Sequence, residues 1–462
     1  MNSRKRPPNS WIFFLSAPNT TNRRTIGIVG SITLGTLIVD YILGTFFDIF
    51  KDQLTSSIGL VIFSAISILL YGIGQYYLVG FAKKISREVK MAGIMNKFAA
   101  ITQIIQYTLL AILLVIVTEM VLLSQYSLGL FLTANTLGTL PGVIMYAILG
   151  LRLLSWYNLK KTAGIVLLLG LAASTGAIAM AGNVVFLAII VSEKPSDIDA
   201  QTEVDFDHIS SSELLNALFF FIVVMMAIIS SIFQWAGIAA MMRHHSTRVG
   251  KIKYWIVIFL PACALLAGIA PSLLASPTSD FALYSGDKLS FRVLTVIGSS
   301  SLQAIWGLGY LSIAKGISKV NKNSPIINYM TATAFGIMLT GFAFASPVIF
   351  VTYPPFGLAG HSYLTLAAYL FSFGFYASAI SVAQDAKLRQ SIRKLAVKES
   401  KLIDNIGRAN FAQQIEKKVL SATKAQQDAL KDETGIETSL TEKELKEYLE
   451  KVLNEIDREK RR

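Results

Sequence analysis

Long runs of apolar residues alternate with short polar connections along most of this 462-residue chain. A segment of about 20 apolar residues crosses a bilayer as a helix, because hydrocarbon offers the backbone no other hydrogen-bond partner. The pattern predicts ten spans, and each crossing moves the next connection to the opposite side. The predicted spans are 25–47, 57–82, 98–124, 128–151, 162–192, 214–242, 254–275, 292–315, 325–352 and 362–384.

The connections differ in charge according to the side on which they are predicted to lie. Lysine and arginine crowd the N-terminal segment and every second connection, where Glu88 is the only acidic residue. The opposite connections hold few basic residues, namely Lys51, Lys194, Lys288 and Arg292. Because basic connections stay in the cytoplasm, both termini are predicted to be cytoplasmic. The net charge of +13 is thus distributed by membrane side, and no nucleic-acid partner is predicted.

The chain therefore divides into three regions. Residues 1–24 form a basic cytoplasmic segment, residues 25–384 a transmembrane bundle and residues 385–462 a cytoplasmic helical tail. The predicted fold class is all-α, a polytopic transmembrane helix bundle of about ten spans with a C-terminal cytoplasmic helical hairpin. The predicted location is the cytoplasmic membrane, with the lipid bilayer as the main partner.

The tail carries two helical patterns. Apolar residues between Leu388 and Ile406 follow a heptad-like spacing, which predicts that the tenth span continues as a long, coiled-coil-like helix. A second helix begins at Thr441, with Glu444 completing a capping box. Its apolar stripe needs a partner surface, which is the preceding helix, a second copy or a cytosolic protein. The stripe consists of Leu445, Tyr448, Leu449, Val452, Leu453 and Ile456.

Two carboxyl groups lie inside the predicted spans. Asp40 and Glu119 sit at similar depths, about two-thirds of the way across the first and third spans. A charge at that depth costs several kcal/mol unless it is paired, hydrated or neutralised. The two groups are therefore a candidate ion or proton site. The alternative is that both lie near the outer interface and are hydrated from that side.

Sequence motifs of defined chemistry are absent. The chain has no phosphate-binding loop, no nucleophile elbow and no zinc-protease motif, so we predict neither an enzyme nor a cofactor. The acidic connection from Glu193 to Glu213 lacks the glycine turn and terminal glutamate of a calcium-binding EF-hand. We predict a solvated negative loop there and no metal site. Cys263, the one cysteine, is predicted to be a packing residue.

Small residues indicate close helix packing in the bundle. Gly138 and Gly142, four residues apart, allow a neighbouring helix to approach the fourth span. Ten spans also suit an inverted repeat, in which the first helix of each half is usually broken at mid-membrane. The first span is rich in glycine, but the sixth has neither glycine nor proline between Leu214 and Ala236. This difference weakens the inverted-repeat interpretation.

The tail also supports a family resemblance. The stretches 385–394 (DAKLRQSIRK) and 434–440 (TGIETSL) lie in a region, 378–450, that resembles the tail of multi-pass membrane proteins of ammonia-oxidising archaea. The resemblance implies an archaeal cytoplasmic membrane. It implies no activity and no functional residues.

Two functional hypotheses follow from these patterns. The first is a non-enzymatic membrane sensor or scaffold whose tail recruits or relays. The second is a secondary transporter that uses Asp40 and Glu119. They differ in where the indispensable residues lie, on the tail stripe or at the intramembrane carboxyl groups.

Overall fold

The computed structural model describes most of the predicted bundle and little of the chain outside it. The N-terminal segment before residue 23, most of the predicted seventh span and the tail with its stripe Leu445 to Ile456 lie outside the described residues. The described residues are 23–88, 92–159, 164–202, 212–242, 254–256, 258–260, 262–263, 266, 289–320, 325–346, 351–384 and 421.

The described chain is almost entirely helical. Its elements, in chain order, are α1 (Arg23–Thr45), α2 (Lys51–Leu54), α3 (Ser57–Ser67), the π-helix π1 (Ile68–Gly74), α4 (Gln75–Glu88), α5 (Ala92–Leu123), β1 (Gln125–Ser127), α6 (Leu128–Leu159), α7 (Gly164–Ser192), β2 (Asp197–Asp199), α8 (Glu213–Phe219), the π-helix π2 (Phe220–Met225), α9 (Met226–Met242), α10 (Leu289–Val320), α11 (Ile326–Ala345), α12 (Leu358–His361) and α13 (Leu364–Gln384).

The described helices have the length and surface of membrane spans. Seven of them are long and apolar enough to cross a membrane, and they coincide with predicted spans one to six and nine. Helices α10 and α13 cover predicted spans eight and ten but are not among the seven. Large apolar side chains point outward along the spans, as at Val61, Leu122 and Leu151, which are 67%, 74% and 68% exposed. Such a surface suits lipid, and the chain is a membrane-embedded all-α bundle.

The centre of the bundle is the antiparallel pair α11 and α13, around which α1, α5, α6 and α10 pack. Glycines let this pair approach closely. A Cβ atom on Gly336 would lie 2.2 Å from the amide nitrogen of Phe371, and one on Gly374 would lie 2.6 Å from the carbonyl oxygen of Tyr329. Only a residue without a side chain fits where two helix backbones touch in this way.

Two spans contain π-helical turns. The π1 segment, Ile68–Gly74, interrupts the second span, and the π2 segment, Phe220–Met225, interrupts the sixth. The sixth span has neither glycine nor proline between Leu214 and Ala236, so no helix-breaking residue in the sequence marks its π-helical turn. An extra residue in a helical turn rotates the side chains that follow it, and such turns are frequent at functional sites.

The ninth predicted span ends earlier than its hydropathy indicates. Helix α11 ends at Ala345, whereas the apolar pattern continues to residue 352. Proline at 347, 354 and 355 cannot continue a helix, because it lacks the amide hydrogen. Gly357 has a positive φ of 91°, which favours glycine and starts the short helix α12. We call residues 351–363 the plug.

A small two-stranded antiparallel sheet joins two connections on the predicted outer side. Strand β1 pairs with β2, so that Gln125 faces Asp199 and Ser127 faces Asp197. The first part of the acidic connection is therefore a strand. A hydrogen bond from the Thr202 hydroxyl lowers the pKa of the Asp199 carboxyl. Within the described ranges no group of three or more His, Cys, Asp or Glu side chains could hold a metal ion, and residues 203–211 lie outside those ranges.

Candidate functional site

The plug, in which only the short helix α12 is helical, reaches deep into the bundle. Every residue from 351 to 363 is buried. Near its end, the Cα atom of Ser362 would be 2.5 Å from a Cβ atom on Gly138, which lies about 15 Å along α6 from Leu128. Ser362 also bonds to Tyr71, about 21 Å along the second span from Ser57. The plug therefore extends to about the middle of a hydrocarbon layer roughly 30 Å thick.

Asp40 holds the first turn of α12, in the second half of the plug. Its Oδ1 atom accepts a hydrogen bond of 2.9 Å from the amide of Gly357, and its Oδ2 atom accepts one of 2.9 Å from the amide of Gly360. The first amides of a helix have no partner within the helix, and α12 consists of only four residues. Asp40 supplies the missing acceptors from α1, and its side chain is completely buried. The described residues place no cation against it.

His361 holds the end of α12 between two other helices. Its Nδ1 atom lies 3.0 Å from the carbonyl oxygen of Ala343, which can only accept, so Nδ1 carries the hydrogen. The Nε2 atom lies 3.4 Å from the amide nitrogen of Asn183, which can only donate, so Nε2 accepts and carries no hydrogen. The ring is thus a neutral imidazole that joins α7, α11 and the plug.

Hydroxyl groups fasten the plug to the remaining helices. Tyr126 donates a hydrogen bond of 2.9 Å to the carbonyl oxygen of Thr352, and Tyr353 donates one of 3.4 Å to that of Met120. Thr365, just after the plug, donates one of 2.7 Å to the carbonyl oxygen of Gly138. Non-helical backbone at membrane depth is stable only where protein surrounds it, and these bonds provide that enclosure.

Glu119, the second predicted carboxyl group, has a different environment. It is partly exposed near the end of α5, and its Oε2 atom accepts a hydrogen bond of 2.9 Å from the amide of Ser127. No contact between Asp40 and Glu119 occurs among the described residues. The structure thus gives each carboxyl group its own backbone partner, and a shared site for the two remains a prediction.

Glu119 provides a prediction of small effect. Glu119→Gln keeps an oxygen that can accept from Ser127, so we expect the free energy of unfolding to fall by less than about 1 kcal/mol. The temperature at which half of the detergent-solubilised protein stops being monodisperse measures this change. A loss of about 3 kcal/mol or more would show that Glu119 contributes more to stability than its one bond to Ser127.

Sequence reasoning found Asp40 but not the residues around it. The apolar pattern places the plug partly at the end of the ninth span, partly in a connection and partly at the start of the tenth span, and it does not single out His361. The signals available were the prolines at 347, 354 and 355 and Gly357, which mark a break between two apolar runs. The second candidate surface, the tail stripe from Leu445 to Ile456, lies outside the described residues.

Comparison of the chain with protein-family models, curated proteins and solved structures finds no match. The resemblance of the tail to archaeal membrane proteins therefore stays a prediction.

Proposed function

We propose that this protein is a secondary transporter of the cytoplasmic membrane, with ten spans and both termini inside, and that Asp40 is its proton site. The observation that carries the proposal is the pair of bonds from a completely buried carboxyl group to the first turn of α12, a short helix within a broken segment at membrane depth. Intramembrane carboxyl groups and broken helices are the usual components of ion-coupled transport sites.

The geometry favours a proton over a metal cation at Asp40. Both carboxyl oxygens already face amide hydrogens, whose partial positive charge opposes a metal ion at the same atoms. A metal ion also needs several oxygen ligands, whereas a proton needs one oxygen. Protonation of Asp40 removes the negative charge that strengthens both bonds, so it weakens the hold of α1 on the plug. This link between protonation and movement is what coupled transport requires.

The sensor or scaffold hypothesis depends on the tail. Its residues lie outside the described part of the chain, so no contact in the structure favours that hypothesis over transport.

A flux experiment tests the proposal. Purified protein is reconstituted into liposomes that contain a pH-sensitive dye, and a dialysable extract of small metabolites is added outside. We expect proton entry that depends on the extract. Asp40→Asn should abolish it, because a side-chain amide neither binds nor releases a proton near neutral pH.

Glu119→Gln is the matched control, since it removes a carboxyl group at similar predicted depth that does not touch the plug. It should retain the flux of the unmodified protein. The absence of extract-dependent proton entry in the unmodified protein, or unchanged entry with Asp40→Asn, would overturn the proposal. Monodisperse behaviour of each variant before reconstitution shows that a lost flux does not come from unfolding.

A further inference from the structure

Two buried amide side chains lie without hydrogen-bond partners between the second and third spans. Gln75 is 2% exposed and Gln106 is completely buried, yet neither the nitrogen nor the oxygen of either side chain has a partner among the described residues. An amide group removed from water without a partner costs several kcal/mol. Buried polar groups of this kind are normally bonded to ordered water or to a ligand.

The two amides lie at the same level. Val79 and Thr102 line one pocket between α4 and α5, and these helices run antiparallel because only residues 89–91 separate them. Gln75 is one helical turn from Val79, and Gln106 is one turn from Thr102, in both cases away from the connection. Residues four apart share a helix face, so both amides are on the same helix faces as the pocket residues, one turn farther from the predicted inner side.

The pocket itself is small and partly open, and its lining combines Lys83, Thr102, Gln103 and Tyr369 with apolar side chains. Its free space accommodates about one water molecule. The hydroxyl of Thr102 is another buried group without a partner in the described structure. Lys83 belongs to the basic connection that predicts the cytoplasmic side. The pocket is therefore an opening toward the predicted inner face.

On the predicted outer side of the two amides, further polar side chains lie between them and Asp40. A Cβ atom on Gly74 would lie 3.0 Å from the Oη atom of Tyr363 and 2.7 Å from the Oγ1 atom of Thr33, so these hydroxyls border Gly74, the residue before Gln75. The π1 segment ends here, at Gly74. One turn farther out, Tyr71 bonds to Ser362, which lies two residues after Gly360, the residue whose amide donates to Asp40.

We propose that these side chains line a hydrated path along which protons reach Asp40 from the inner face. The path begins at the pocket and passes Thr102, Gln106, Gln75, Tyr363 and the pair Tyr71 and Ser362. Amide and hydroxyl groups both donate and accept hydrogen bonds, as water does, so they suit a chain of water molecules. That protons move along the path rests on the proposed function, whereas the path itself requires only that water reaches these side chains.

The other titratable groups of the plug do not offer an alternative end for the path. His361 is bonded to Ala343 and lies beside Asn183, on the side of α7 and α11. Tyr353 donates to Met120 near the end of α5. Asp40 is thus the acidic group to which the row of polar side chains leads.

Cysteine accessibility tests the path without any transport assay. Cys263 is the one cysteine of the chain, and it is exposed, so the prediction of a buried packing residue is wrong. Cys263→Ser provides a background without native thiols. Gln106→Cys is then compared with Ile104→Cys, which lies on the same helix but is 65% exposed toward the lipid side. The probe is a cationic methanethiosulfonate added to vesicles of defined orientation, because the thiolate that reacts forms only where water reaches it.

We expect Gln106→Cys to react at least about tenfold faster than Ile104→Cys, and only when the reagent is on the Lys83 side. Gln75→Cys should behave in the same way and serves as the second variant if Gln106→Cys does not fold. Equal rates for Gln106→Cys and Ile104→Cys, or reaction from the opposite side alone, would overturn the path. A labelled path with no proton flux would instead overturn the proposed function, so the two failures are distinguishable.

Discussion

Replacing Asp40 with alanine is expected to lower the free energy of unfolding by about 3 kcal/mol or more. The substitution removes the acceptors of two amides, those of Gly357 and Gly360, that are buried where water cannot replace them. A hydrogen bond to a charged group contributes about 1.5–3 kcal/mol, and two such bonds are lost together. Since a domain is stable by only about 5–15 kcal/mol, the effect is a large share of the total.

The measurement is the temperature at which half of the purified protein in detergent loses its monodisperse form. Asp40→Asn should fall between the native protein and Asp40→Ala, because its amide oxygen still accepts from one of the two donors. Glu119→Gln, with its single partly exposed bond, should remain close to the native value. If Asp40→Ala were as stable as Glu119→Gln, the plug would not depend on the carboxyl group of α1.

Two glycines of α6 are expected to respond in opposite directions to the same substitution. Gly138→Ala would place a Cβ atom 2.5 Å from the Cα atom of Ser362 and 3.1 Å from its carbonyl oxygen. Both contacts involve backbone, which cannot rotate away, so the plug must shift. We expect a loss of about 3 kcal/mol in stability and a weakened bond between Thr365 and the carbonyl oxygen of Gly138.

Gly142→Ala is the matched control, one turn along the same helix. Its Cβ atom would lie 3.5 Å from the Cβ atom of Ala368, an ordinary van der Waals contact. Alanine also favours a helix over glycine by about 0.5–1 kcal/mol, so Gly142→Ala should be neutral or stabilising. The same thermal measurement compares the two variants. Equal losses at both positions would show that the plug does not rest against α6 at Ser362.

The pair also shows the limit of a sequence motif. Two glycines four residues apart predict that a neighbouring helix approaches closely, whereas the backbone that approaches Gly138 is that of Ser362 in the plug, outside any helix. The spacing treats both positions alike, because it contains no information about the partner. Only the position of the plug decides that Gly138 contacts backbone and Gly142 contacts a methyl group.

The apolar pattern predicted the helices because lipid leaves the backbone no alternative. Helix α7, Gly164–Ser192, and helix α1, Arg23–Thr45, each begin within two residues of the predicted start. The same pattern was wrong at the end of the ninth span, where α11 ends at Ala345. Hydropathy measures only whether a segment avoids water. It therefore cannot distinguish a segment that faces lipid from a plug that is buried in protein.

The sequence by itself determined that the chain is a membrane-embedded helical bundle and that Asp40 must avoid lipid, since both follow from the cost of exposing polar groups to hydrocarbon. Only the tertiary structure decided what Asp40 binds. Gly357 is 317 residues away along the chain, and an amide hydrogen has no residue-specific signature in a sequence. Physical chemistry fixes the need for a partner at each position, whereas packing of distant helices selects which group meets that need.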